Sequence, residues 1–466
     1  MRRWDAQQVA RAAGARLLRA AVPGVNGPLQ TTIDSRQAGP GTLFVGLPGE
    51  HVDGGSFAAA ALAAGAWGVL VGPDHVDASV PADGSLAADG SLAGDGSLAG
   101  DGALLVADDP LKALQQLATA WRRQLGAKVI GVTGSTGKTS TKDLLLGVLS
   151  PYRLTVASRA NFNTEIGLPL EILAAPAGTE VLVLEMGMRG SGQIAELARI
   201  AEPDVGVIVS VGPVHLELLG SIEAVAAAKA ELIGGLAPGA TAIVPAGEAL
   251  LDPHLRDDLT TITFGPGGDV QFVSESGTRV EIDAQGNRIG FDVDFTQPHL
   301  RYDLLAAVAA ARAVGVRPGG LLELALSPGR GQRRLLPGGI TLIDDAYNAN
   351  PVSMRAALDA LAAIETSGRR VAVLGDMLEL GADAERYHGE IGAHANDTVD
   401  LLVTVGPLAA VMAPDFRGEH HHAADAEAAA RLVPTLLRPG DVLLVKASNG
   451  AGLKLVCDTL TAVTTA

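Results

Sequence analysis

The stretch Lys128–Thr141, K-V-I-G-V-T-G-S-T-G-K-T-S-T, carries the strongest chemical signal in this chain. A short β-branched run (Val129, Ile130, Val132) leads into Gly134-Ser135-Thr136-Gly137-Lys138-Thr139, and a helix-compatible segment, Ser140–Leu149, follows. Strand, glycine loop and helix in that order form the arrangement that binds a nucleotide phosphate chain. The glycines let successive backbone N–H groups turn toward one anion, and the helix N-terminus adds its partial positive charge. Lys138 is of the type that reaches the β- and γ-phosphates, and the Thr139 hydroxyl is a ligand for Mg²⁺. The stricter G-x-x-x-x-G-K-[ST] pattern fails, because Val132 stands where its first glycine belongs. A tighter T-G-x-x-G-K-T loop remains, which marks a particular subclass of phosphate loop.

Other chemistry-bearing residues fall at the ends of apolar runs. Glu185 closes V-L-V-L-E, where the carboxyl end of a parallel strand suits a Mg²⁺ ligand; a helix cap or plain surface acid is the other reading. His215 follows V-G-V-I-V-S-V-G-P-V and gains weight only from Glu217 and Lys229 nearby in the chain. Lys229, in A-A-A-K-A-E-L, reads on composition as a surface lysine whose stem lies along apolar surface. Burial would cost too much unless the amine were paired, modified or neutral, and a neutral amine can take up CO₂ to become a carbamate. Gly329-Arg330-Gly331 and D-D-A-Y-N-A-N-P (Asp344–Pro351) gather polar groups at another strand end. There an arginine can neutralise phosphate charge and an aspartate can accept from ribose hydroxyls. The triple histidine His420–His422 reads as a solvated loop rather than a metal site.

The elements that must position these groups fall into three segments. Residues 1–106 hold a short helix pattern (Asp5–Ala21), a β-like stretch Thr31–Arg36, and G-T-L-F-V-G-L-P-G (Gly41–Gly49). Within them, Ala82–Leu105 repeats a six-residue Asp-Gly unit about four times. It lacks the nonapeptide glycine pattern of a calcium-binding roll, so a dispensable surface loop is expected. In residues 107–327, the runs Val181–Glu185, Val205–His215 and Ala242–Pro245 alternate with helical stretches Gly192–Ile200 and Ser221–Gly234. This rhythm predicts a parallel sheet covered on both faces. In residues 328–466, strands Ile340–Asp345, Val371–Gly375, Leu401–Val405 and Val442–Lys446 alternate with helices Ser353–Ile364, Ala384–Asn396 and Ala424–Leu437. The last segment is Rossmann-like in outline, but no G-x-G-x-x-G follows its first strand, so no nicotinamide is assigned.

Composition narrows the classes. At 466 residues, two to four domains are expected, and 47% hydrophobic with 3% aromatic residues indicates an Ala/Val/Leu/Gly-built α/β protein. A net charge of −17 argues against generic nucleic-acid binding or attachment to anionic lipid. The single cysteine, Cys457, excludes an intrachain disulfide and suits a reducing compartment. No run reaches the ~18 apolar residues of a membrane span, and Asp5, Arg11 and Arg16 break any apolar signal core. A soluble cytoplasmic protein is expected. Seven lysines stand against twenty-eight arginines, so lysine survives where an amine is needed; Lys138 and Lys229 are the two to keep.

In this order, these residues resemble the Mur ligase family of bacterial cell-wall synthesis over nearly the whole chain. N-F-N-T-E-I-G-L-P (Asn161–Pro169), E-M-G-M-R-G-S-G-Q-I (Glu185–Ile194), V-G-P-V-H-L-E (Val211–Glu217), D-D-A-Y-N-A-N-P-V-S-M (Asp344–Met354) and L-G-D-M-L-E-L-G (Leu374–Gly381) carry the resemblance. They are similar to the branch that adds D-alanyl-D-alanine to UDP-MurNAc-tripeptide. The resemblance implies three domains: a small α/β UDP-binding domain, a central ATPase-like parallel sheet with helices on both faces, and a Rossmann-like C-terminal domain. It implies ATP-driven amide synthesis through an acyl phosphate, with two Mg²⁺ ions and a carbamylated Lys229.

Carried over by position, Gly134, Ser135, Thr136, Gly137, Lys138, Thr139 and Ser140 would hold ATP with His299, Arg330 and Asp345. Thr139, Glu185, His215 and Lys229 would hold metal, and Lys138, Lys229, His215 and Arg330 would serve catalysis. Ser35, Arg36, Asp53, Asn161, Asn163, Asn348 and Asn350 would contact the substrates, and a monomer is expected. The chain departs from the family pattern H-N-x-x-N at His299-Leu300-Arg301-Tyr302-Asp303, at Thr164 and at Asn449. Other readings are a sibling Mur ligase, a folylpolyglutamate synthase, or a non-catalytic ATP-dependent switch or scaffold.

Overall fold

The computed structural model describes residues 1, 4–21, 27–76, 101–159 and 161–462. They form a mixed α/β protein that divides into two compact units. Unit one comprises 1–131, 152–187 and 195–204; unit two comprises 132–151, 188–194 and 205–466.

Unit one contains a five-stranded sheet in the order Arg16–Arg19, Ala103–Val106, Gly68–Val71, Thr42–Val45, Gln30–Thr32. The last four strands in that order run parallel, and Arg16–Arg19 is antiparallel to its neighbour. The short N-terminal helix stops at Ala13, because Gly14 takes a left-handed conformation (φ 62°) and turns the chain into Arg16–Arg19. The helix expected over Asp5–Ala21 is therefore half helix and half strand. The Asp-Gly repeat is corrected in the same way. Ala103, Leu104 and Leu105, its last residues, are buried in a central strand of this sheet. Residues 77–100, which hold all but the last five residues of the repeat, lie outside the described residues. Unit one also carries the parallel pair Thr155–Ala157 and Val181–Glu185.

In unit two, Val205–Ile208, Thr241–Pro245 and Thr260–Phe264 pair in parallel; the first two are near-continuous buried apolar runs, and the third buries only Ile262 and Phe264. Beyond them the sheet continues with strands for which the sequence carried no expectation. Val270–Ser276, Arg279–Ala284 and Asn287–Val293 form an antiparallel meander, turning at Gly277 (φ 59°) and Gly286 (φ 78°). The rest of unit two is a six-stranded sheet ordered Gln332–Leu336, Ile340–Asp345, Val442–Lys446, Arg370–Gly375, Leu401–Val405, Glu419–Ala423. Only the first strand is antiparallel. Both faces are covered. Val371 and Val373 join one core while Ala372 and Leu374 join the other, as a side-chain period of two requires. Each such Val or Leu contributes roughly 1.5–3 kcal/mol by leaving water. The triple histidine lies on the edge strand Glu419–Ala423, not in a loop, and His420 and His422 both bond Thr404 Oγ1.

Candidate functional site

The strand Lys128–Thr133 delivers the glycine loop to the start of the helix Lys138–Leu149. The loop is braced on the segment after Val205–Ile208. Ser135 N–H donates to Ser210 O at 3.0 Å, and Thr136 N–H donates to Ser210 Oγ at 2.9 Å. Ser135 Oγ donates to Gly212 O at 2.9 Å and accepts from Gly212 N–H at the same distance. Gly137 is indispensable by geometry. Its φ is 79°, and a Cβ there would lie 2.5 Å from Asp303 Oδ1 and 2.7 Å from Val209 Cγ1. The Lys138 ammonium folds back on the loop, donating to Gly134 O at 2.7 Å.

A cavity of about 180 Å³ opens in front of this loop. Ser135, Thr136, Gly137, Lys138, Thr139 and Ser140 line one wall, with His299 and Asp303 from the helix Pro298–Ala313. Arg330, Asp345, Asn348, Asn350 and Lys446 line the other. Eleven of the residues singled out from sequence thus meet at one place. Arg330 stacks 4.2 Å over the Tyr347 ring, which fixes a long side chain at modest entropic cost. Asp345 is held by the buried Lys446 ammonium at 2.7 Å, and Lys446 also donates to Asn348 O at 2.9 Å. Asn350 caps the helix Pro351–Ala362 in a capping box with Ser353 and donates to Ser135 O at 3.4 Å. Burial pushes the His299 imidazole below its usual range, while Asp345 opposes the shift and Lys446 adds to it.

Lys229 overturns the surface reading. It lies in the helix Ile222–Gly234 and is 2% exposed. Among the described residues its amine has no hydrogen bond or ion pair. Burial, and after it the Lys138 charge, hold its pKa well below the usual lysine value, so its neutral form is favoured. His215 is likewise lowered, by burial first and by Lys138 and Lys229 last, against the raising effect of Glu379. Its Nδ1 bonds Glu379 Oε2, which leaves Nε2 for another partner. Glu379 also lies 3.8 Å from Arg189.

The remaining sequence-selected residues belong to unit one. Glu185 is 2% exposed at the end of its strand; its Oε1 accepts from Asn163 Nδ2 at 2.8 Å, and its backbone N–H donates to Ser158 Oγ. Asn161 stands two residues before Asn163 in the same loop. Ser35 and Arg36 follow the strand Gln30–Thr32, where Arg36 pairs with Asp34 at 2.8 Å. Asp53 accepts from Gly55 N–H at 2.8 Å and pairs with His75 at 2.9 Å. Sequence reasoning gave no role to Lys446, Asp303 or Glu379. Lys446 was among the scarce lysines, whereas the Glu379 contact spans 164 residues and has no local signature.

Mg²⁺ takes one or two carboxylates, phosphate oxygens and several waters. The absence of any three-residue His/Cys/Asp/Glu cluster among the described residues is therefore compatible with it. The oxygen donors at Thr139 and Glu185 suit a hard cation and His215 offers an imidazole nitrogen, whereas the Lys229 amine would suit Mg²⁺ only after conversion to a carbamate. No described helix is long and apolar enough to cross a membrane.

A phosphate loop facing an arginine and an aspartate from a second α/β sheet defines a nucleotide-dependent enzyme. The Mur ligase models match along the chain: the family's catalytic domain over 30–89, its middle domain over 132–311 and its glutamate ligase domain over 329–449. The chain belongs to the Mur ligase family, a family of ATP-dependent ligases. It is 40% identical over 474 residues to the UDP-N-acetylmuramoyl-tripeptide–D-alanyl-D-alanine ligase of Mycobacterium bovis, covering 92% of this chain and 91% of that one. Its fold is similar to crystal structures of MurF from Acinetobacter baumannii and from Thermotoga maritima. For the first, the TM-score is 0.82 at 27% identity, covering 98% of this chain and 99% of that one. For the second, solved in complex with ADP, it is 0.77 at 28% identity, covering 93% and 97%.

Proposed function

We propose that this chain joins D-alanyl-D-alanine to UDP-MurNAc-tripeptide at the expense of ATP, forming UDP-MurNAc-pentapeptide for peptidoglycan synthesis. The observation that carries this reading is one cavity uniting the phosphate loop with His299, Arg330 and Asp345, in a chain that matches ligases of this activity along nearly its whole length. A carboxylate is a poor electrophile at neutral pH. Attack of the tripeptide carboxylate on the γ-phosphorus expels ADP and leaves an acyl phosphate. The amine of D-alanyl-D-alanine then attacks the acyl carbon, loses a proton, and phosphate departs from the tetrahedral intermediate.

The residues divide this work by charge. Lys138 and Arg330 neutralise the phosphate oxygens, whose charge spreads in the transition state. Asp345, held by Lys446, accepts from the ribose, and His299 faces the nucleotide as a neutral ring. Thr139, Glu185, His215 and Lys229 are the residues that would hold Mg²⁺, which when bound would supply neutralisation of the phosphate and carboxylate charge. Lys229 takes up CO₂ as a carbamate: the neutral amine nitrogen bonds the carbon, a proton leaves to solvent, and a neutral amine becomes an anionic, carboxylate-like ligand. Its burial without an acidic partner supports this. Glu379 fixes His215 in the Nδ1–H tautomer and so presents Nε2.

Ser35, Arg36 and Asp53 contact the UDP-sugar, Asn161 and Asn163 the tripeptide end, and Asn348 and Asn350 the substrates from the C-terminal side. The functional domains are 1–106, 107–327 and 328–466, in a cytoplasmic monomer. The test is phosphate release from ATP with Mg²⁺ and UDP-MurNAc-tripeptide while the acceptor is varied. Release strictly dependent on D-alanyl-D-alanine, with a pentapeptide product by mass, is expected. Release with a single amino acid instead would move the chain to a sibling activity.

A further inference from the structure

The helix Pro298–Ala313 brings two titratable groups to the cavity, His299 and Asp303. Asp303 is 5% exposed, and among the described residues its carboxyl has no hydrogen bond or ion pair. It lies hard against the phosphate loop, with Oδ1 only 2.5 Å from where a Gly137 Cβ would stand. An ionised carboxylate here would set a buried negative charge beside N–H groups arranged for a different anion. Two like charges in such a site do not both persist, and the weaker acid takes up a proton.

Resting on the reading of this loop as a nucleotide site, we infer that Asp303 is a nucleotide-binding residue in its neutral acid form. Nucleotide and one proton then enter the cavity together. The proton comes from solvent and resides on a carboxyl oxygen, where its O–H is a donor to the ligand rather than a repelling charge.

The surroundings give an ionised Asp303 no compensation. On the helix Lys138–Leu149, Lys138 turns to Gly134 O, and Lys142 is paired with Asp143 at 2.6 Å. Behind Asp303, Glu248 faces the neighbouring Tyr302, and Glu275 of the meander is paired with Arg301 at 2.8 Å. Across the cavity, Lys446 is paired with Asp345 and Arg330 lies over Tyr347. Burial holds the Asp303 carboxyl well above the usual carboxylate range.

The experiment measures binding of ADP with Mg²⁺ by calorimetry in buffers of different protonation heat, between about pH 7.5 and 9.5, for the full chain and Asp303→Asn. Infrared difference spectra of each protein with and without ADP are recorded alongside. The unsubstituted protein should take up a proton on binding and lose affinity as pH rises, approaching tenfold per unit above the carboxyl pKa. Its ADP complex should show a protonated-carboxyl band that Asp303→Asn lacks, and the variant should bind ADP without the pH slope. An ADP complex with no protonated-carboxyl band assignable to Asp303 overturns the inference, as does a slope that persists in Asp303→Asn. Absence of ADP binding at every pH would instead remove the nucleotide reading, and the inference with it.

Discussion

His215 and Glu379 meet side chain to side chain across 164 residues, and both hold their backbones in the left-handed region, at φ 54° and 63°. Each such non-glycine residue costs roughly 1–2 kcal/mol, so the surroundings must over-determine the pair. The pinning is visible. Met377 N–H donates to His388, Leu378 N–H to Ser448 Oγ, and Ser448 N–H to Asp376 O. A carboxylate on Nδ1 orients an imidazole for a ligand on Nε2. Glu379→Ala should therefore lower turnover about 10–100-fold and raise the Mg²⁺ concentration needed for half-maximal rate. Glu379→Gln, which still accepts from Nδ1–H, should fall between. A Glu379→Ala enzyme with unaltered Mg²⁺ dependence would show the contact to be packing alone.

Lys229 supports a sharper test. A buried amine that feels the like charge of Lys138 has no electrostatic reason to stay an ammonium. On the proposed role of its carbamate, Lys229→Ala should cost several kcal/mol of charge stabilisation, roughly 10³-fold in rate. Short carboxylates added to the variant should restore part of the turnover, and mass spectrometry of the native enzyme in bicarbonate should find the carbamate. Full activity of Lys229→Ala without rescue agent would sink the proposal.

The range of each interaction decides how legible it is in the sequence. The phosphate loop is local: a β-branched strand, two glycines and a Lys-Thr pair define it within fourteen residues. The strands Val181–Glu185, Leu401–Val405 and Val442–Lys446 were legible to the residue because strands buried on both faces are near-continuous apolar runs. The meander Val270–Val293 was missed, since its half-exposed strands are polar on one side and its turns hinge on Gly277 and Gly286 alone. The burial of Lys229 was illegible for a different reason. A-A-A-K-A-E-L suits an exposed or a buried helix equally, and only the strands packed against it decide. Asp303 and Glu379 owe their importance to partners, or the lack of them, far off in sequence.

The Asp-Gly repeat shows how a boundary sets an outcome. Leu104 and Leu105, which end it, are at most 1% exposed in the five-stranded sheet. Deleting Ala82–Gly100 spares them and shortens one connection, and loop closure changes by only ~0.6 kcal/mol per halving of length. Turnover and thermal midpoint should survive that deletion. Extending it through Leu105 removes a central strand and should abolish folding. Loss of activity with the shorter deletion, in a protein still folded by circular dichroism, would assign the repeat a role.

The loop that holds Glu379 also predicts an acid limit. His388 is fully buried; its Nε2 must accept, because its partner is the Met377 N–H at 2.9 Å, so the ring proton is on Nδ1, which donates to Ala384 O at 2.6 Å. Burial, the largest cause, lowers its pKa, with the Ala384 bond and Asp376 opposing. The unfolded chain, titrating near 6.5, thus binds the proton first. Stability from this group is complete above about pH 6.5 and falls as pH drops toward the folded value, by at most about 1.4 kcal/mol per pH unit. Protonation would also turn the acceptor into a donor facing another donor, releasing Met377 and the Glu379 turn. Thermal midpoints should therefore decline from pH 7 to 5, and His388→Gln, though less stable at pH 8, should lose part of that slope. An identical slope in both proteins would assign the acid sensitivity to other groups.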